Sequence, residues 1–398
     1  MTLKPKYFLL GVLMLCGSLI STAQRKNHKP NTISFDTVKD DPNFGRFRFI
    51  EFITHSGFHI YSGESLNEFL DQGYGSFEVR FGWQPSNPDS WASRYGFASY
   101  GVGAYSGYIG DPQKFGNPNA LFGFINFSMN EPRPGKRNYF YLTPSAGLTY
   151  NLIPYNPESN PDNDAIGSKV ALYFNVNFSG NLRMSRELDL TYGVDFTHFS
   201  NGRTYMPNYG LNMFGLNIGA RYNFNADQRK VNNDPYTHDL LQARFNRPVK
   251  SPQMRIGQNS INISESIGTV QNGEDAGTSN RYMTNSFVID YRYKFTNMHG
   301  ITAGFDWFYD GSLVPEYPDN QYLYGVHAGY DFMFWKLAIR AALGTYIGGN
   351  KGKDDIFARV GLQYEINDFV QAQVALKTRR GFAADWVEYG FSIRPFKW

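Results

Sequence analysis

Three polar side chains interrupt an apolar stripe in the middle of this sequence: His198 and Ser200, two residues apart, and Asn212 a short way on. A serine hydroxyl becomes a useful nucleophile only when a base takes its proton, and residues two apart on a β-strand project from the same face with their Cβ atoms several ångströms apart. The spacing therefore permits a Ser-His dyad, although a His-x-Ser triplet alone is equally well a pair of polar residues at the interfacial end of a strand.

The elements that would position these groups are two strands joined by a hairpin, between Arg186 and Phe224. In the first, Leu188, Leu190, Tyr192, Val194, Phe196, His198 and Ser200 share one face, and Asp189, Thr191, Gly193, Asp195, Thr197 and Asn201 share the other. In the second, Asn212, Phe214, Leu216, Ile218, Ala220, Tyr222 and Phe224 oppose Gly215, Asn217, Gly219, Arg221 and Asn223. His198, Ser200 and Asn212 are thus expected together at the edge of an apolar surface. A soluble sheet would turn that surface to a core, whereas a membrane barrel turns it to lipid and keeps its polar face in the lumen.

The whole chain favours the barrel. Its first 23 residues combine Lys4 and Lys6, an apolar run from Tyr7 to Ile20, and small residues at Ser21 and Ala23, the pattern of a secretory signal peptide. Cys16 invites a lipoprotein reading, but bulky Leu15 precedes it where a small residue is needed. No other cysteine exists, so the exported chain is expected to form no disulfide. No later stretch has the roughly 20 apolar residues of a transmembrane helix, and aromatic residues make up 17% of the chain. A net charge of +3 is too small to argue for nucleic acid, and nothing calls for a metal or cofactor.

Residues 24–45 read as a polar periplasmic lead. From Arg46 to Phe224 about eight alternating segments follow, among them Phe77, Val79, Phe81 and Trp83 against Glu78 and Arg80, with loops at 84–95 and 151–166. Residues 225–257, dense in charge and proline, read as a linker or long periplasmic turn. Alternation resumes over 258–398 in about eight further segments and closes on the aromatic Trp398. The fold class is all-β, a transmembrane antiparallel barrel, either one barrel of about 14–16 strands or two tandem eight-stranded barrels. The Lys, Arg, Asp and Glu on the inward face of the second half favour a single barrel with a wide, wet lumen.

One longer string is more specific than the dyad. His198-Phe199-Ser200-Asn201-Gly202, followed by Pro207-Asn208, Gly210 and another alternating strand, resembles the signature of the PagL-type lipid A 3-O-deacylases. These are eight-stranded outer-membrane barrels that remove an ester-linked acyl chain from lipopolysaccharide. The resemblance is sharp over about forty residues, extends in strand count over 46–224 and is not found over 225–398. It implies Ser200 as nucleophile, His198 as general base, Asn208 as an oxyanion-hole donor and Asn201 as a supporting polar group. The family's acid falls at Asn212, which can accept a hydrogen bond from the imidazole but carries no charge to stabilise the imidazolium. Glu64 or Glu68 could supply a carboxylate, whereas Asp195 faces the lumen by parity and His55 reads as structural. Leu376 to Arg379 with Tyr389-Gly390 is faintly similar to the Phe196 to His198 region, but Arg379 faces the lumen by parity and makes a second site unexpected.

The resulting expectation is an outer-membrane esterase of a Gram-negative cell that acts on lipid A at the outer leaflet, with a homodimer left open. The alternative is a non-catalytic porin or structural barrel carrying a relic site.

Overall fold

Among the described residues, sixteen strands alternate apolar and polar side chains, and the backbone closes them into two sheets without edges. The structure is a computed structural model that describes residues 47–398 apart from 62, 64, 67–69, 71–72, 86–90, 130–136, 186, 225–254, 350 and 380–382. The expected signal peptide, the periplasmic lead, Glu64, Glu68 and nearly all of the 225–257 segment lie outside the described residues. Residues 255–257 of that segment already belong to a strand.

The first barrel contains β1 (Phe47–His59), β2 (Tyr74–Gln84), β3 (Ser99–Tyr108), β4 (Gly116–Ser128), β5 (Asn138–Leu152), β6 (Ala171–Arg183), β7 (Leu188–Ser200) and β8 (Leu211–Asn223). Each pairs antiparallel with the next, and β1 closes onto β8 with Ile50 opposite Tyr222 and Phe58 opposite Phe214. The second contains β9 (Arg255–Val270), β10 (Tyr282–Thr296), β11 (His299–Asp310), β12 (Tyr322–Phe334), β13 (Leu337–Ile347), β14 (Ile356–Glu365), β15 (Val370–Arg379) and β16 (Ala383–Lys397). Here β16 closes onto β9, with Ile393 opposite Ile263.

This corrects the expectation of one wide barrel: the alternative, two tandem eight-stranded barrels, is what the chain forms. A sixteen-strand barrel would need β8 to pair with β9 and β1 with β16, whereas β1 already pairs with β8 over eleven residues. The inward charges are not a sign of a wide lumen either. They pair across a narrow one, with Arg292 to Asp331 at 2.6 Å, Arg359 to Glu388 at 2.7 Å and Arg340 to Asp331 at 3.0 Å. Among these pairs lies a cavity of about 40 Å³ lined by Asp290, His327, Asp331, Arg340 and Arg359 among others.

The first lumen is filled in the same way. His55 Nδ1 lies 2.8 Å from Asp195 Oδ1, Arg80 lies 2.6 Å from Glu78, and the Tyr173 hydroxyl donates to Glu78 at 2.7 Å. Towards the end where β7 meets β8, aromatic residues including Phe122, Tyr105, Tyr173 and Phe199 plug it. Outside, the order is inverted: Leu121, Leu148, Leu216 and Ile218 are exposed on the first barrel, and Ile267, Leu343, Val360 and Phe391 on the second. Polar inside and apolar outside is the arrangement required of a sheet that lies in lipid.

Both barrels belong to one compact unit and touch at both ends. At the end opposite the β7–β8 loop, Trp91 stacks on Trp335 at 5.0 Å and Asn297 donates to the Arg94 carbonyl at 2.6 Å. At the other end the 201–210 loop meets β15, β16 and the 271–281 loop.

Parity along β7 follows from this fold: Asp189, Asp195, Thr197 and Phe199 are buried in the lumen, while Leu188 is exposed and Val194 and Phe196 are partly exposed on the outer wall. Spin labels at Val194 and Asp195 should therefore differ, the first relaxed by a lipid-soluble quencher and the second protected from it. Equal access at the two positions would contradict the register.

Candidate active site

β7 delivers His198 and Ser200 to the outer wall because the strand period is two, and it ends at Ser200, where the backbone leaves the ladder. The β7–β8 register sets His198 opposite Asn212, and β6 sets Phe174 opposite His198 and Leu172 opposite Ser200. Across the first pair, His198 Nδ1 lies 2.7 Å from Asn212 Oδ1. With the amide oxygen towards the ring, Nδ1 donates and the lone pair is on Nε2, the tautomer a general base needs. Gly210 packs under this ring: a Cβ there would sit 2.9 Å from His198 Cε1, and its φ of +76° suits glycine.

Ser200 is buried, at 6% exposure, although it faces outward. Its Oγ accepts from Asn208 Nδ2 at 2.9 Å and from the Gly202 backbone N–H at 3.2 Å. A hydroxyl has two lone pairs and one proton, so these donors occupy both acceptor sites and leave the proton to be taken. Among the described residues no hydrogen bond joins His198 to Ser200; such contacts are commonly longer before substrate binds.

Asn208 is itself oriented, because its Oδ1 accepts from the Asn201 N–H at 3.1 Å. The Asn201 side chain donates to Ser168 Oγ and to the Tyr205 carbonyl, both at 3.1 Å. The 153–170 loop supports the far side of the hairpin, with Tyr209 and Gly210 N–H groups donating to the Asp164 and Ala165 carbonyls at 3.2 and 2.9 Å. All five residues singled out in the sequence, His198, Ser200, Asn201, Asn208 and Asn212, are thus brought together. Asp195 points into the lumen and takes no part, as parity implied.

Gly202 and Gly210 belong to the motif string, but the donor role of the Gly202 N–H and the part played by Ser168 were not anticipated. A backbone donor has no residue-type signature, and Ser168 reaches the site from a different hairpin. Arg203 also lies in the loop, where burial and the neighbouring Arg379 guanidinium push its pKa below the usual arginine value while Asp385 and Asp310 oppose them. Next to the dyad, Phe174, Phe214 and Leu216 present exposed apolar side chains on the outer wall.

The first barrel thus carries a histidine, a serine and two donors to that serine together at the end of its apolar outer wall, within a closed sheet of the outer-membrane barrel class. Residues 74–221 match the family described as lipid A 3-O-deacylase (PagL), and residues 259–398 match the acyloxyacyl hydrolase C-terminal domain. Between them these matches take in more than half of the chain, which belongs to the PagL family of lipid A 3-O-deacylases. The second half, where no resemblance was read from the sequence, thus matches a separate domain found at the C-terminus of acyloxyacyl hydrolases. No curated protein matches. Among solved structures, the outer-membrane enzyme PagL is 13% identical with a TM-score of 0.30, over 42% of this chain and 97% of that one. Neisserial surface protein A is 10% identical with a TM-score of 0.28, over 44% of this chain and 96% of its own. A porin of Rh. blastica is 12% identical with a TM-score of 0.19, over 87% and 99%. Family and fold together make this a Gram-negative outer-membrane protein.

The pairing at 2.7 Å makes Asn212 the residue to vary. A hydrogen bond to a charged partner is worth roughly 1 kcal/mol more than a neutral one, or about fivefold in rate when the charge appears only in the transition state. Asn212→Asp, nearly isosteric, should raise kcat for ester hydrolysis about fivefold, and Asn212→Leu should lower it at least tenfold (~1.4 kcal/mol). Equal rates for wild type and both variants would make Asn212 a bystander.

Proposed function

We propose that this protein is an outer-membrane serine esterase that removes an ester-linked acyl chain from lipid A. The observation that carries this is the pair of donors on Ser200 Oγ beside a histidine whose tautomer Asn212 holds, on a wall that faces lipid. Ser200 Oγ attacks the ester carbonyl carbon while His198 Nε2 takes its proton. The carbonyl oxygen becomes an oxyanion next to Asn208 Nδ2 and the Gly202 N–H, whose hydrogen bonds pass from the serine oxygen to the developing charge. Donors of this kind lower the barrier by roughly 3 to 4 kcal/mol. The tetrahedral intermediate collapses as His198 returns the proton to the leaving sugar hydroxyl. Water, deprotonated by the same histidine, then releases the fatty acid from Ser200.

The substrate reading rests on the family and on geometry. If the first strand starts in the periplasm, β7 runs outward and ends at the outer leaflet, where lipid A resides. An acyl ester then reaches Ser200 sideways along Phe174, Phe214 and Leu216, with no aqueous pocket required. The porin alternative loses its main support, since inward charges of both lumens pair with one another, among them Arg80 with Glu78, Arg292 with Asp331 and Arg359 with Glu388.

Mass spectrometry of lipid A from cells expressing the wild-type protein should show species lighter by one acyl chain. Ser200→Ala and His198→Ala should restore the full-length species, with turnover lowered by at least about 1000-fold. Unchanged processing in Ser200→Ala would overturn the esterase reading and leave a structural barrel with a relic site.

A further inference from the structure

Among the described residues of the second barrel no Ser-His pair resembles that of the first, yet this barrel reaches into the loop that carries the donors to Ser200. Between Gly202 and Asn208, the two donors to Ser200 Oγ, the chain runs through Arg203 to Met206, and this segment is grasped from the second barrel. Gln271, at the end of β9 and 0% exposed, donates its backbone N–H to the Arg203 carbonyl at 3.1 Å. Its side-chain Oε1 accepts from the Met206 N–H at 2.7 Å. Its Nε2 donates to the carbonyls of Thr278 and Asn280 at 3.1 and 3.0 Å, so the amide is fully used and can face only one way.

Two further contacts act on the same stretch. Arg203 Nη1 meets Asp385 Oδ1 of β16 at 3.3 Å, and Asp385 is fixed in turn by Lys353 and Lys377, each at 2.6 Å. Gly202, at φ +64°, rests so closely on β16 that a Cβ would lie 2.2 Å from Val387 Cγ2. The donors to Ser200 thus bracket a segment held from both sides: Asn201 and Gly167 of the first barrel meet Thr204 and Tyr205, while the second barrel holds Arg203 and Met206 through Gln271.

We propose that Gln271 is a positioning residue of the esterase site, through which the second barrel holds the 203–206 segment so that the Gly202 N–H and Asn208 Nδ2 stay aligned on the reacting oxygens. This rests on the esterase reading and adds a role for the second barrel within it. Gln271 does not touch Ser200 or substrate; it acts through the loop. Small displacements of aligned groups are expensive in rate: about 1 Å costs up to roughly 100-fold.

The test uses the full chain, refolded in detergent micelles, with hydrolysis of lipid A followed as kcat and KM and with Ser200 labelling by a fluorophosphonate probe as a readout independent of lipid A. Gln271→Ala should lower kcat and the labelling rate by about 10- to 100-fold, with KM within about twofold of wild type and heat-modified gel migration unchanged. Gln271→Glu retains the oxygen that accepts from Met206 and loses the two donations to the 271–281 loop, so it should recover most of kcat and of the labelling rate. Wild-type kcat and labelling in Gln271→Ala would overturn the proposal. Equal losses in both variants would overturn it too, because they would trace the effect to the fold of the 271–281 loop. A wild-type protein that neither hydrolyses lipid A nor is labelled at Ser200 would instead overturn the esterase reading itself.

Discussion

In a lipid environment the backbone has no water to satisfy it, so every strand edge must be paired, and the β1–β8 and β9–β16 ladders meet that requirement separately in the two halves. Closure at eight strands leaves an interior just wide enough for side chains. That explains why Glu78, Arg80, Asp195 and His55 in one lumen, and Asp306, Arg359 and Glu388 in the other, are tied into ion pairs rather than solvated. Chemistry requiring a substrate cannot take place in such an interior. It is confined to the outer wall and to the loops where the strands end.

Ser200 occupies the point where these two options meet. As the last residue of β7 it retains the outward parity of the strand, and the residues after it are released from the ladder. Within a sheet, a backbone N–H beside a nucleophile is consumed by the neighbouring strand. At Gly202 the chain has turned, φ is positive, and the N–H is free to bond Ser200 Oγ. A dyad placed four residues earlier would have kept the histidine and serine but forfeited this donor.

How much of this was legible follows from the range of each interaction. Parity in β7 and β8 is set by adjacent residues, and the hairpin joining them is short, so the convergence of His198 and Asn212 could be read from the sequence. The number of segments was legible for the same reason. Closure was not, because Ile50 meets Tyr222 across nearly the whole first half, and the alternating pattern is identical whether β8 finds β1 or β9. The inward charges misled for a related reason: composition counts Arg340 and Asp331 but is blind to their being 3.0 Å apart. Gln271 contributes to the loop through one backbone and one amide group, and no local pattern distinguishes it from any other loop glutamine.

The asparagine at 212 fits the surface on which it lies. A carboxylate paired with histidine stabilises the imidazolium, but in the resting state it is an ion facing apolar neighbours, and desolvating such a charge costs several kcal/mol even when paired. Phe174 and Phe214 flank the pair, and Leu216 follows Phe214 on the same face of β8. A neutral Asn212–His198 pair keeps the tautomer at 2.7 Å without introducing a resting charge into this wall. In the proposed mechanism charge arises only when Ser200 gives up its proton, and at that moment Asn208 and Gly202 would stabilise the opposite sign on the substrate. On that proposal the site relies less on a buried acid and more on the alignment of its donors, which makes the loop between them, and whatever holds that loop, the sensitive part of the structure.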